Sequence, residues 1–511
     1  MGHTLSDIAV LLHPTDTVAV ARRNIPPREQ IESNGDSLVT STVIPMGHKF
    51  ALVPIAEGQP ILKYGQIIGF ATSDIKPGDH VHTHNITCGS YQRDYAMATE
   101  VPPPLPAARP RTFEGFLRED GRVGTRNYIA LVSTVNCSAS SVHRIAAHFT
   151  PERLRNYPNV DGVFAVTHKT GCGMASSGID RDYLKRTLSG FALHPNVFGH
   201  IIVGLGCEVN QASQLIEANE LLGKPATAPR MLTVQESGGI AKTVARGIEA
   251  VEQLLPLAKK ACRTTQPAAK LLLGTNCGGS DGNSGVTANP ALGIASDLLI
   301  ALGGTSVVGE TTEIYGAEHL LTRRAVSPAI AQKLIDRIKW WEWYASVFGA
   351  EIDNNPSFGN KEGGLTTIFE KSLGAIAKGG SSALCDVVGY AEKVTSPGLV
   401  VMDTPGFDPV SVTGIVAGGA NVMVFTTGRG SVLGCKPTPT IKVATNTPLY
   451  EHMKSDMDFD AGIVLAGRSI EAVGAELFDL ILDVASGKRT KSEEQGLGDD
   501  EFAPWTIGPV L

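Results

Sequence analysis

Apolar and polar positions follow two different rhythms along this chain. Up to about residue 98 the apolar runs are short and partly alternating. "DTVAVARRNI", "HKFALVPI" and "QIIGFATSDI" have the length of single strands, and turn sequences such as "IKPGDH" separate them. This predicts a small β domain over 10–98. "EVPPPLPAARP" follows, predicting an extended proline-rich linker over 99–111. From 112 to 262 strand-length apolar runs alternate with helical patterns. "SASSVHRIAAHF" reads as a helix with a serine cap, "NQASQLIEANELL" as a second helix, and "GGIAKTVARGIEAVEQLLPLAKKA" as a longer amphipathic one. "CRTTQPAAK" marks a weaker boundary, and the alternation resumes over 268–511. Alternating β and α elements imply mostly parallel sheets covered by helices. The expected fold class is therefore α/β: a small N-terminal β domain, then two α/β regions.

Four of the apolar runs end alike. "YIALVSTVNCS", "GVFAVTHKTGCG", "HIIVGLGCEVN" and "KLLLGTNCGGSDG" each open into a glycine- or serine-rich turn carrying one cysteine: Cys137, Cys172, Cys207 and Cys277. The intervals are 35, 35 and 70 residues, and a strand–helix–strand unit needs about 30 or more. In an open parallel sheet, ligands bind outside the carboxyl ends of the strands. Four thiols at such ends are expected to converge on one site, with Glu208 and Asp281 beside them; thiolates suit iron or zinc, and carboxylates suit harder metals. The bland alternative is that each cysteine is a small core residue. The spacing matches no zinc finger, which uses ligand pairs two to four residues apart.

"HVHTHN" adds His80, His82 and His84 at alternate positions, which a strand turns to one face. Imidazoles within reach of one another suit a first-row divalent metal. His168 in "THKTGCG" is a candidate acid or base. "VVGETTEIYG" supplies Glu310 and Glu313, "FGNKEGG" supplies Lys361, and "TTGRG" supplies Arg429, a side chain able to hold a carboxylate in bidentate fashion.

Composition narrows the function. A net charge of −7 gives no footprint for nucleic acid or anionic membrane, and no apolar run approaches the 18 or so residues of a membrane span. No secretory signal is apparent, so a cytoplasmic location is expected. There, eight cysteines are candidates for ligation or catalysis rather than a disulfide framework. "GLGCEV" and "GGSDGNSG" lack the Gly-Lys-Ser/Thr ending of a phosphate loop, and no Gly-x-Ser-x-Gly elbow is present.

"GHKFALVPIAEGQPILKYGQIIGFA" with "GDHVHTHN" resembles the β-clip (SAF) domain of altronate and galactarate dehydratases. "NYIALVSTVNCS", "THKTGCG", "IIVGLGCEVNQ", "CGGSDGNSGVTANPALG", "NPSFGNKEGGLTTIFEKSLG", "FTTGRG" and "IKVATN" resemble the body of the same family. The resemblance runs from about residue 12 to about 470. It implies a lyase that removes water across C2–C3 of a sugar acid to give a 2-keto-3-deoxy acid. Altronate is the nearest substrate, with galactarate, other aldonates and aldarates, or a sulfo-lyase reaction as alternatives. It also implies a divalent metal, Fe2+ or Mn2+, and a homo-oligomer acting on a small molecule. The residues expected to serve are His82, His84, Cys137, Cys172, Cys207 and Cys277 for the metal; His168, Lys361 and Glu310 for catalysis; and Glu208, Asp281 and Arg429 for substrate. A second cofactor fits the same thiols: an iron–sulfur cluster held by three of the four.

Overall fold

The computed structural model describes residues 3–33, 36–89, 93–106, 109–213, 215 and 230–507. The helix expected over 210–222 falls largely outside them.

The N-terminal region is built of short antiparallel pairs. Ala9–Val10, Val18–Ala21, Lys49–Ala51 and His80–Val81 form one four-stranded sheet, and Pro60–Lys63, Gln66–Ala71 and Ile86–Thr87 form another of three strands. One side of this domain has its own core around Ile8, Ala19, Ile31 and Phe50. The other side shares a core with the C-terminal region, where Ile61, Ile68 and Val81 pack with Leu373 and Ile376. A buried ion triad ties the two across this seam. Glu370 Oε2 accepts from Lys49 Nζ at 2.9 Å and Glu370 Oε1 from Lys63 Nζ at 2.8 Å, with all three side chains at most 1% exposed. Burial alone would raise the Glu370 carboxyl, but the two ammonium groups hold it well below the usual range. The proline-rich linker lies against helix Glu318–Arg323, through amides of Ala98 and Glu100 that donate to Thr322 and Arg323 carbonyls.

Strand Thr112–Leu117 pairs antiparallel with Thr264–Pro267, so the chain enters and leaves the second domain side by side. That domain has a parallel sheet of β1 (Tyr128–Ser133), β2 (Gly162–Val166), β3 (Val197–Gly204) and β4 (Arg230–Thr233), in the order β2-β1-β3-β4. Strand β1 and most of β2 and β3 are buried, which is why they read as continuous apolar runs. Helices Ala139–His148 and Ile240–Ala258 cover one face. Ser138 occupies the cap position of the first, yet its hydroxyl turns inward and donates to the Val203 carbonyl at 2.8 Å.

The C-terminal domain carries a seven-stranded parallel sheet. Its strands are β5 (Leu272–Cys277), β6 (Thr305–Val308), β7 (Leu384–Val388), β8 (Gly398–Met402), β9 (Val422–Thr427), β10 (Thr440–Ala444) and β11 (Phe459–Asp460). The order is β7-β8-β6-β5-β9-β10-β11. The chain leaves β5 toward β6 on one side and later returns to β9 on the other. The carboxyl ends of β5, β6 and β9 therefore flank the switch point where a ligand crevice opens. Helices Ala288–Ala301 and Ile470–Ala485 pack together over one face of this sheet. The other face shares a core with the second domain through Phe164, Tyr183 and Leu188 against Ile415, Met423 and Tyr390. Among the described residues, no helix is long and apolar enough to cross a membrane.

Candidate active site

Two groups of side chains stand out, on either side of the short helix Phe358–Glu362. The first lies in the β domain. Strand pairing matches Lys49 to Val81 and Phe50 to His80, which brings His48 level with His82 on the face His80 also shares. The ring centroids of His48 lie 5.1 Å from His80 and 4.9 Å from His82, and one ligand nitrogen from each ring lies within 4.8 Å of the other two. His48 Nε2 is 3.1 Å from the Glu362 carbonyl, to which only an N–H can donate. Nδ1 of the same ring is then a lone pair, 3.0 Å from His80 Nε2. His82 Nδ1 is buried without a hydrogen-bond partner. Burial, and then the neighbouring imidazoles, hold His80 down to about 3. Burial, and then the Lys49 ammonium, hold His82 down to about 4. The group is three neutral imidazoles facing one another, oriented by a backbone carbonyl behind them. That donor set fits a first-row divalent ion. His84 is exposed and outside the trio, although its ring lies 5.5 Å from His80.

The second group sits at the switch point of the seven-stranded sheet. Cys277 ends β5, and Glu310 and Glu313 follow β6; the three ligand atoms also lie within 4.8 Å of one another. Here cations are already supplied by the protein. Lys378 Nζ donates to Cys277 Sγ at 2.9 Å and to Glu310 Oε2 at 2.8 Å. Lys371 Nζ donates to Glu313 Oε1 at 2.6 Å and to Asn355 Oδ1 at 2.9 Å. Burial pushes the Cys277 thiol up to about 12. Burial, and then Glu313, raise Glu310, whose Oε1 has no hydrogen-bond partner and whose backbone sits in the left-handed region at φ 63°. That conformation is strained for a residue with a side chain. Cys277, Glu313, Asn355, Asn360, Lys371 and Asp408 line a cavity of about 520 Å3. Asp408 accepts from Asn276 Nδ2 at 3.0 Å. Burial, and then Glu310 and Glu313, raise it well above the usual carboxylate range, which favours its protonated form.

The structure does not bring the four spaced thiols to one point. Cys277 is buried in the seven-stranded sheet, whereas Cys137, Cys172 and Cys207 are exposed at strand ends of the four-stranded sheet. The two regions share one sequence pattern but build separate sheets. His168 is not poised to move a proton from substrate: it is buried, Nε2 lies 3.1 Å from the Ser133 carbonyl, and Nδ1 accepts from the Thr170 amide at 3.2 Å. Glu208 turns away from its neighbour Cys207. Its oxygens accept from Thr134 Oγ1 at 2.6 Å and from the Leu205 and Gly206 amides at 3.1 and 2.6 Å. Asp281 likewise spends its oxygens inside the protein, on Ser284, Asn283, Thr445 and Asn446. Both carboxylates hold loops in place instead of presenting a free edge. Lys361 is half-buried on the short helix, and Arg429 is exposed, 3.3 Å from Glu362.

His48, Lys371, Lys378 and Asp408 escape the sequence reading. The lysines sit seven residues apart in "EKSLGAIAK", Lys371 in helix Ile368–Ile376, which is buried throughout, and Lys378 in the 3-10 turn Ala377–Gly379 that follows it. A lysine in such surroundings is the available signal. His48 differs from an ordinary strand-edge histidine only through its register.

Three family models match successive parts of the chain. They are the altronate/galactarate dehydratase SAF domain at 7–89, the D-galactarate dehydratase/altronate hydrolase second domain at 115–259, and the D-galactarate/altronate dehydratase C-terminal domain at 268–510. An altronate dehydratase of Escherichia coli is 36% identical over 487 residues, covering 95% of this chain and 96% of that protein. A galactarate dehydratase (L-threo-forming) of the same organism is 37% identical over 517 residues, covering 98% and 97%. The beta subunit of a (2R)-sulfolactate sulfo-lyase of Chromohalobacter salexigens is 32% identical over 402 residues, covering 77% and 96%. With its three regions matched in order along the chain, this protein belongs to the altronate/galactarate dehydratase family and is by class a carbon–oxygen lyase.

Proposed function

We propose that this chain dehydrates a six-carbon sugar acid, altronate or a close relative such as galactarate, to a 2-keto-3-deoxy acid, and that it needs a divalent metal, Fe2+ or Mn2+, to do so. The observation that carries the reading is the polar cavity at the switch point, where Asp408, raised by burial and two carboxyl neighbours, shares the wall with a lysine-held Glu313. Dehydration needs an acid for the departing C3 hydroxyl and a base for the C2 proton. Asp408 is the acid, because burial and two neighbouring carboxyl groups favour its protonated form. Glu313 is the base, held toward the cavity by Lys371 and Asn355. The Lys371 ammonium supplies positive charge for the substrate carboxylate and the charge that develops on it. The metal falls to His48, His80 and His82, which are neutral and already oriented; when bound, it supplies Lewis-acid charge that no side chain provides.

A panel of hexonates and hexarates, read by formation of 2-keto-3-deoxy product, tests the reading. Asp408→Asn is expected to lose at least about 100-fold in turnover while keeping its metal. No product from any member of the panel overturns the substrate class. Full turnover by protein shown to be metal-free overturns the cofactor.

A further inference from the structure

Cys137, Cys172 and Cys207 take no part in either group above, yet they are placed with more care than three stray thiols need. They follow β1, β2 and β3, which are adjacent in the order β2-β1-β3. The chain leaves β1 for β2 on one side and returns to β3 on the other, so the thiols ring the switch point of the four-stranded sheet. All three are free and exposed.

The loops that carry them are locked together. The Asn136 amide donates to the Thr170 carbonyl and the Asn210 amide to the Gly171 carbonyl, both at 3.1 Å. Asn210 Nδ2 donates to the Thr134 carbonyl at 3.0 Å. Glu208 closes the set through Thr134 Oγ1. Each thiol is thus within three residues of a tie to a neighbouring loop. Gly171 and Gly173 flank Cys172 at φ 97° and 67°, and Gly206 precedes Cys207 at φ 130°. A Cβ at Gly171 would collide with the Thr134 carbonyl, so the loops are in direct backbone contact. Glycine-rich turns are a common setting for anionic iron–sulfur centres, whose charge backbone N–H groups balance.

Spacing selects the ligand. A single ion bound by thiolates at about 2.3 Å holds its sulfurs close together. Among the described residues, the trios whose ligand atoms come within 4.8 Å of one another are the histidine and Cys277 groups, and these three thiols are not such a trio. Adjacent strands lie about 4.8 Å apart, so thiols on three consecutive strand ends spread over about twice that distance. A polynuclear centre spans such a gap; one ion does not.

We propose that Cys137, Cys172 and Cys207 hold a [4Fe–4S] cluster in which the fourth iron has no protein ligand and takes an oxygen of water, a hydroxyl or a carboxylate. Cys172 lines a crevice with Trp505. Trp505 stacks on Trp341 at 5.1 Å, and Trp341 lines the Asp408 cavity. One aromatic layer therefore lies between the crevice at Cys172 and the proposed substrate cavity. The inference does not depend on the substrate or on the histidine-bound metal.

The test uses the full chain, purified without oxygen and supplied with ferric iron, sulfide and excess thiol reductant, which gives the two electrons that take four Fe3+ to the level of the resting cluster. Wild type is expected to hold about four acid-labile sulfides and the broad visible absorption of a cubane cluster. C137S, C172S and C207S should each lose both. C262S, which removes an exposed cysteine elsewhere, and H82A, which removes a proposed metal ligand, should keep both. Thiol alkylation gives a second readout that needs no variant: the three cysteines should be protected in reconstituted protein and modified once iron is stripped. Wild type without labile sulfide, or three variants with as much as wild type, overturns the proposal. Equal alkylation with and without iron overturns it as well.

Discussion

The histidine trio and the Cys277 group meet the same geometric condition, three donor atoms within 4.8 Å, but they differ in who supplies the positive charge. His48, His80 and His82 are neutral imidazoles with one buried ring nitrogen unpartnered, so an incoming cation gains ligands and displaces nothing charged. Cys277, Glu310 and Glu313 already hold two ammonium groups at 2.6–2.9 Å. A metal there would have to evict a lysine from a buried site. Donor spacing alone therefore does not define a metal centre; the charge already bound decides between two equally compact groups. The same comparison assigns the work: charge from the metal in one place, proton transfer among coupled side chains in the other.

The largest effect expected on this view is from His80→Ala or His82→Ala. Either should lose the metal and more than about 100-fold in turnover, beyond the cost of removing a group that only orients a ligand. Metal content and product formation read it together. If these variants stay loaded and Cys277→Ala is the one that empties, the comparison is inverted.

Lys378→Met comes next. It leaves Glu310 and Cys277 without their shared cation in a fully buried setting. Breaking a buried pair by removing one partner costs about 3–5 kcal/mol, measurable by urea unfolding. Adding Glu310→Gln should restore part of it. Unchanged stability in the single variant would show that the group is not held by its lysines.

Much of this was legible in the chain, and the failures have a common origin. Apolar runs ending in glycine and cysteine placed the thiols at strand ends, because a buried parallel strand leaves no other pattern. They carried no information about which sheet each strand joined, so Cys277 was grouped with three thiols of another domain. Contacts of long sequence separation were equally silent. Lys378 is 101 residues from Cys277, and His48 is 32 from His80, paired only through register. Asp281 and Glu208 sit in glycine-rich turns, where sequence alone does not separate a substrate-facing carboxylate from a structural one. Such turns also need carboxylates to gather their own amides and hydroxyls, and that is what both do.

Acid should separate the two groups further. His194 and His200 are buried away from both, held by burial to about 3 and about 4. In the unfolded chain each imidazole binds a proton near 6.5, whereas in the folded chain it does not until pH falls much lower. Between those values the unfolded state takes up more protons, so stability is full above pH 6.5 and declines as pH falls toward 4. The slope is up to about 1.4 kcal/mol per pH unit for each imidazole. Metal-loaded and stripped protein should fall in parallel down to about pH 4, since His80 and His82 stay unprotonated in the fold either way, and part below it, where stripped protein takes up protons on these rings and metal-bound ligands do not. Thermal midpoints from about pH 7 to about pH 3 check this, and curves for loaded and stripped protein that stay parallel below about pH 4 would place the metal on other groups.

The smallest effect concerns His84, which decides whether the trio is complete. Its ring is 5.5 Å from His80, close enough to swing toward a metal, but it is exposed and stands outside the compact set. An exposed imidazole that only neighbours the site contributes through weak, solvent-screened interactions. His84→Ala should therefore keep stoichiometric metal, with affinity changed less than about tenfold, which is about 1.4 kcal/mol. A fourth ligand would behave differently: its loss would weaken metal binding to the degree seen for His82→Ala. Competition with a chelator of known affinity measures the difference directly. If His84→Ala and His82→Ala prove equivalent, the strand-end sequence "HVHTHN" supplies three ligands and the group is a four-histidine centre.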